Sequence, residues 1–300
     1  MGGKFQKIYG GGTPNFRISM RNYILGGAQF SDNYGKYVPV HKKNKIQIQR
    51  LLTYSNKINI TSIDIATNYS GAIERLSKCK LISNFQTSTK IQYSVSQEKF
   101  IYDSLNDDLM MLKLNNYNTI FIHNWSELSS QEKKKSSNFL RVLIEDGIAI
   151  QPGISVYKAS ELNNFEFNQG VVQAPLNFYN TEFINSDHAL ELNNSGIKFQ
   201  ARSLFHQGVL LNINQKLLSK YRDLMIFYNY CKINKISHLE ACLNVFDSQS
   251  LFTELVIGVN NLRQLKQIVK VPIIHRDINA FAGNYDFDEN FTDPRNWSLL

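Results

Sequence analysis

Long apolar runs are missing from this 300-residue chain. No stretch approaches the roughly 18 consecutive apolar residues that a transmembrane helix needs, so no membrane partner is expected. Cysteine is scarce: Cys79, Cys231 and Cys242 are the only three, and they form no CxxC pair. An odd set of scattered thiols cannot form a disulfide framework and suits a reducing, cytoplasmic compartment. The six histidines are dispersed, with no HxH or HExxH grouping, so no metal site is expected. Glycines at 10–12 and 26–27 do not make the GxGxxG fingerprint, which disfavours a Rossmann dehydrogenase. Lysine and arginine outnumber acidic residues to a formal charge of +8, yet they cluster only at HKKNK (41–45) and KKK (133–135). A nucleic-acid partner would call for a coherent basic stripe with interleaved aromatics, and none is present. The opening MGGKFQKIYGGGTPNFR also lacks the apolar segment of a secretory signal.

An apolar fraction of 43% is enough for a large core. Short apolar runs alternate with longer helix-type patterns along the whole length, the rhythm of parallel strands joined by crossover helices. The predicted strands are 23–29, 60–66, 85–91, 118–123, 148–155, 170–175, 197–203 and 254–259. Helical spacing covers 45–56, 71–81, 97–112, 131–146, 158–163, 187–195, 217–232, 237–248 and 261–269. Eight strand–helix units in a chain of this length predict one (β/α)8 TIM barrel, class α/β. The domain reading is a loose leader over 1–18, a barrel over 19–282, and a tail over 283–300 packed on the barrel as an extended segment.

Asp64, Lys90 and His123 each lie at or near the end of a predicted strand, and Tyr69 follows the first of them by five positions. Strand ends of such a barrel converge on one cavity, where active sites of this architecture sit. A phenol titrates near 10 and is a poor acid or base at neutral pH. A nearby ammonium favours the phenolate, and a carboxylate paired with that ammonium holds it in place. Asp64, Lys90 and Tyr69 are the residue types this needs, and His123 would polarise a carbonyl oxygen that Tyr69 protonates. Taken singly, each has the alternative of a structural role.

The same residues resemble the aldo-keto reductase superfamily. Its D-x-A-x-x-Y pattern stands here as Asp64-Ile-Ala-Thr-Asn-Tyr69, its lysine as Thr89–Lys90 and its histidine as Ile122-His123-Asn124. LGGAQF (25–30) with Tyr34-Gly35, GISVY (153–157), VQAPLN (172–177), ARSLFHQGVLL (201–211) and VIGVNNLRQL (256–265) follow in the family's order. The closing DPRNW (293–297) resembles a bacterial-type branch found with surface-sugar biosynthesis. The resemblance implies carbonyl reduction by NADP(H) or NAD(H), with a small-molecule carbonyl substrate. It implies cofactor contacts from Gly27, Ala28, Ser155, Gln173, Arg202, Ser203, Gly258, Asn260 and Arg263. Ser155 and Gln173 would hold the nicotinamide carboxamide. Two departures stand out. Val156 occupies the place of a common asparagine, and Arg202 that of a tyrosine that stacks on the ring. Gln264 stands at the usual arginine of NADP-specific relatives. Tyr69 is followed by Ser70-Gly71 rather than the common glycine, an apparent one-residue insertion beside the phenol.

Phe30 and Trp125 follow strand ends and would line an apolar substrate wall or belong to the core, while His206 and Gln207 are candidate substrate contacts in the seventh loop. Two other readings stay open: a cofactor-binding scaffold with vestigial turnover, and a sugar epimerase or dehydratase that uses bound cofactor transiently.

Overall fold

The computed structural model describes residues 21–32, 44–276, 278–293 and 295–296. The leader over 1–18, the Tyr34-Gly35 pair and Trp297 lie outside these. Eight parallel strands close into a barrel in sequence order: β1 (Tyr23–Gly26), β2 (Ser62–Asp64), β3 (Gln86–Ile91), β4 (Tyr117–Ile122), β5 (Ala149–Ser155), β6 (Gly170–Pro175), β7 (Ile197–Arg202) and β8 (Phe252–Gly258). β8 closes on β1 through Tyr23↔Leu255 to Gly26↔Gly258. The single (β/α)8 TIM barrel is therefore the observed fold.

Strands covered on both faces read as apolar runs rather than alternations, and β6, fully buried along its length, is one such run. Inside the barrel, large side chains need small neighbours. A Cβ on Gly153 would lie 2.5 Å from the Phe121 ring, so glycine on β5 gives β4's phenylalanine its space.

The outer helices start where the sequence supplies caps. Helix α1 (Lys45–Lys57) opens with an Asn44/Gln47 capping box; α2 (Ala72–Ser77) and α3 (Glu98–Leu112) follow β2 and β3. Ser129 and Glu132 cap α4 (Ser130–Glu145) reciprocally. These boxes satisfy backbone donors that a helix start leaves open. The link from β5 to β6 departs from the predicted pattern: the expected helix at 158–163 is one 3-10 turn, Ala159–Leu162. After β6 comes α5 (Asp187–Asn194). Between β7 and β8 the predicted 217–232 helix is split into α6 (Gln215–Lys220) and α7 (Arg222–Asn234), followed by α8 (His238–Asp247). Then come α9 (Leu262–Lys270), α10 (Ile278–Ala282) and α11 (Glu289–Thr292). The predicted extended tail thus contains a short helix, whose Phe291 is buried against Tyr179, His206 and Tyr221. All three cysteines are free and buried.

Candidate active site

The C-terminal strand ends surround a cavity of about 380 Å³, lined among others by Asp64, Tyr69, Lys90 and His123. That is within the usual volume of a small-molecule pocket. Asp64 is the last residue of β2, and its carbonyl accepts from Gly27 N at 2.7 Å, tying β1 to β2 at the cavity floor. A Cβ at Gly27 would sit 2.9 Å from that same carbonyl, so glycine is required for the approach. Lys90, on β3, donates to both oxygens of Asp64, and both side chains are buried. Burial pushes the Lys90 pKa down; Asp64 opposes that shift and Arg202 adds to it.

Tyr69 stands on the turn after β2, where Tyr69 N donates to Ala66 O and Ala72 N donates to Tyr69 O. The Ser70-Gly71 pair closes this turn: Gly71 takes φ +70, and Ser70 O accepts from Asp32 N at 3.1 Å. Arg75 on α2 locks the same junction by donating to Phe30 O and pairing with Asp32. The Ser70-Gly71 step beside Tyr69 is therefore a left-handed turn tied to the loop after β1.

His123 follows β4, its backbone N donating to Ile91 O. Its pKa is lowered to about 4 by burial, with Lys90 and Arg202 adding to the effect. A neutral imidazole carries one N–H and can donate it. His206, fully buried, is likewise lowered to about 4, chiefly by burial. The sign of the linkage is set by these shifts. Between pH 6.5 and 4 the unfolded chain binds protons that the folded one refuses, so stability falls with pH across that window and is flat above it with respect to these groups. Thermal midpoints at pH 7.5, 6 and 4.5 should therefore decline. A midpoint constant down to pH 4.5 would contradict the burial of these two rings.

Arg202 lines the cavity at the end of β7. It donates to Val156 O at 2.9 Å and to Ser203 Oγ at 3.3 Å. Its guanidinium carbon and that of Arg295 each stand 4.1 Å from the Tyr157 ring centroid. Arg295 is anchored by Asp293 and Glu161, so the C-terminal segment buttresses the cavity arginine through Tyr157. The loop after β7 holds Ser203, His206, Gln207 and Gly208 at positive φ. Left-handed backbone at three non-glycine residues in so short a loop marks a segment held by its surroundings, as functional loops often are.

The cavity gathers Gly27, Ala28, Gln173, Arg202, Ser203, Gly258 and Asn260 from the sequence reading, together with Gln207. Five of the sequence candidates stand outside the cavity lining. Phe30 and Trp125 are fully buried core residues, and Trp125 Nε1 donates to Glu161 O at 2.8 Å instead of facing the cavity. His206 is covered by the tail, with Nε2 donating to Phe291 O at 3.0 Å. Arg263 is exposed on α9, whose cavity-facing residues are Gln264, Gln267 and Ile268. Ser155 stays out of the lining but pairs in register with Gln173. Sequence reasoning missed Gln29, Tyr157, Leu204, Phe205, Leu211 and Leu239 on the wall. Gln29 has a structural signal, since its amide lies where a Gly258 Cβ would be.

Several buried polar atoms on the cavity residues have no hydrogen-bond partner, His123 Nδ1, Gln173 Oε1, Arg202 Nε and Asn260 Oδ1, and so does Ser155 Oγ beside Gln173. Buried polar groups are normally paired, so a cluster of unpaired ones at a single cavity is what a polar ligand would complete. Among the described residues, no three His, Cys, Asp or Glu side chains cluster to hold a metal. No helix there is long and apolar enough to cross a membrane.

A closed β/α barrel that gathers Asp64, Tyr69, Lys90 and His123 around one strand-end cavity belongs to the class of barrels that carry their sites at the C-terminal face. The particular family follows from sequence: the Aldo/keto reductase family profile matches residues 23–278, and the chain belongs to that family. It is thereby an oxidoreductase of small carbonyl compounds. Its fold is similar to that of a glycerol dehydrogenase from Gluconobacter oxydans, at 15% identity and TM-score 0.68, covering 92% of this chain and 96% of that one. It is also similar to an aldo-keto reductase from a Medee basin deep-sea metagenome library, at 15% identity and TM-score 0.62, covering 93% and 97%. A thermostable aldo-keto reductase solved with the inhibitor epalrestat matches at 14% identity and TM-score 0.60, covering 93% and 94%. No curated protein matches the sequence at a significant level.

Proposed function

We propose that the chain reduces an aldehyde or ketone with a nicotinamide cofactor, using Tyr69 as the general acid. The observation that carries this reading is the set of unpartnered buried atoms on the cavity residues Gln173, Arg202, Asn260 and His123 and on Ser155, the register neighbour of Gln173. Amide oxygens, a hydroxyl and a guanidinium N–H among them fit a ligand with an amide at one end and both donors and acceptors along its length. Ser155 and Gln173 would hold the carboxamide, with Gly27, Ala28, Ser203, Gly258 and Asn260 along the remainder of the molecule. When bound, the cofactor supplies a hydride to the carbonyl carbon.

The protein's own part is to orient the carbonyl and to move one proton. His123, neutral at working pH, donates an N–H to the carbonyl oxygen. Tyr69 gives its phenolic proton to that oxygen as negative charge builds there. Lys90 stabilises the phenolate left behind, and Asp64 fixes the ammonium in place. Asp64 is the only carboxylate on the described cavity wall and is already paired, whereas Arg202 makes no carboxylate pair there. That imbalance favours a carbonyl substrate bearing a phosphate or carboxylate, with sugar derivatives the class to test first.

The alternative of a cofactor-binding protein with little turnover is favoured by Val156, which is fully buried and offers no side-chain polar contact. Titrating NADPH and NADH into the purified protein, then assaying a panel of neutral and anionic aldehydes, separates these readings. Micromolar binding with turnover fastest on anionic carbonyls is the expected result. Binding without turnover on any member would support the alternative, and failure of both cofactors to bind would remove the reading.

A further inference from the structure

Gln173, Gln200 and Glu254 stand side by side on β6, β7 and β8, paired in register as Gln173↔Gln200 and Gln200↔Glu254, and Ser155 on β5 continues the row. Gln173 Nε2 donates to Gln200 Oε1 at 3.2 Å, and Gln200 Nε2 donates to Glu254 Oε2 at 2.9 Å. The chain of bonds therefore runs from a half-buried carboxylate into the buried wall of the active-site cavity.

The two ends of a glutamine amide have the same shape and opposite hydrogen-bonding character. Two glutamines alone could pair in either direction. A carboxylate has no hydrogen to give, so Gln200 must turn its NH2 toward Glu254 and its oxygen toward Gln173. Gln173 in turn must answer with its NH2. What remains for the cavity is the Gln173 oxygen, which is buried and has no partner. With the chain reversed, the Gln200 oxygen would face the carboxylate, acceptor against acceptor.

Resting on the nicotinamide reading above, we propose that Glu254, acting through Gln200, sets the polarity of the Gln173 amide and so makes the cavity select a ring substituent that carries an N–H. A carboxamide supplies that hydrogen to Gln173, and its carbonyl is left for the neighbouring Ser155 hydroxyl, also unpartnered. Glu254 and Gln200 are thus positioning residues: neither is needed to touch the ligand. A methyl ketone in place of the carboxamide keeps the carbonyl but strands a buried acceptor.

The test compares calorimetric dissociation constants of NAD+ and NADP+ with those of their 3-acetylpyridine analogues, in which the amide NH2 is a methyl group. The unaltered chain should prefer the carboxamide form by about tenfold or more, the effect of one buried unpaired acceptor. Glu254→Gln keeps the shape of the side chain but can offer either an acceptor or a donor, and Gln200→Leu cuts the relay. In both variants the preference should shrink to within roughly threefold, a change a purely structural role would not produce because it would weaken both ligands alike. A preference near one in the unaltered chain, or a preference unchanged in Glu254→Gln, would overturn the relay while leaving the cofactor site intact. Failure of every dinucleotide to bind would overturn the relay together with the cofactor reading.

Discussion

Tyr69→Phe is expected to lower the single-turnover rate of carbonyl reduction by about 10²- to 10⁴-fold, the usual contribution of a positioned proton donor. The substitution removes one oxygen and keeps the ring, which is half-buried on the cavity wall and packs against the core. Binding of the cofactor should therefore persist, and the loss should fall on the chemical step alone. Rapid-mixing measurements at saturating cofactor separate the two. A rate within tenfold of the unaltered chain would remove Tyr69 from the mechanism and leave His123 as the remaining donor at that oxygen.

Lys90→Met is expected to affect both stability and activity. The Lys90–Asp64 pair is buried, with Lys90 3% and Asp64 4% exposed. Removing the ammonium leaves a carboxylate in a low-dielectric interior with its counter-charge gone, a change that costs about 3–5 kcal/mol in comparable buried pairs. The turnover step should fail as well, since the ammonium held by Asp64 is the charge proposed to stabilise the phenolate. Replacing both partners, Lys90→Met with Asp64→Leu, removes the stranded charge. Denaturant midpoints should recover most of the loss in the double variant while activity stays absent. A single variant destabilised by less than about 1 kcal/mol would show that the pair is not buried as described.

Lys90 was legible in the sequence because strand ends in a barrel converge whatever the intervening helices do, and Tyr69 because it follows the end of β2 by five positions. The strands themselves were readable for a similar reason: β6 was expected at 170–175 and runs Gly170–Pro175, its apolar run bounded by a glycine and a proline. Helix integrity was less readable. The expected 217–232 helix breaks at Tyr221, whose φ of −122 and ψ of 109 are extended. No glycine or proline marks that position. The Tyr221 ring instead stacks on Phe291, 4.8 Å away and 70 residues later, a contact that local periodicity does not encode.

The same distinction divides the site. Polar residues at strand ends were found because polarity there is unusual. For Phe30 and Trp125 the sequence left wall and core open, and for His206 it suggested a substrate contact, because an apolar or imidazole side chain after a strand faces cavity or core according to what later packs over it. For His206 that cover is the tail, and for Trp125 it is the turn carrying Glu161. Arg263 misses the cavity by one helical position, since Gln264 and Gln267, three apart, share the inward face of α9. The Glu254 relay needs the register of three strands, which composition and spacing do not supply.

The central claim is that this cavity passes a hydride from a nicotinamide cofactor to a carbonyl. The most direct measurement supplies NADH or NADPH deuterated at the transferable ring position, with the carbonyl turned over fastest in the panel, and analyses the product by mass spectrometry. Deuterium on the new carbinol carbon, appearing about 10²- to 10⁴-fold more slowly when Tyr69 is replaced by phenylalanine, is the predicted result. A cofactor that binds yet keeps its label in the presence of every carbonyl offered would contradict it.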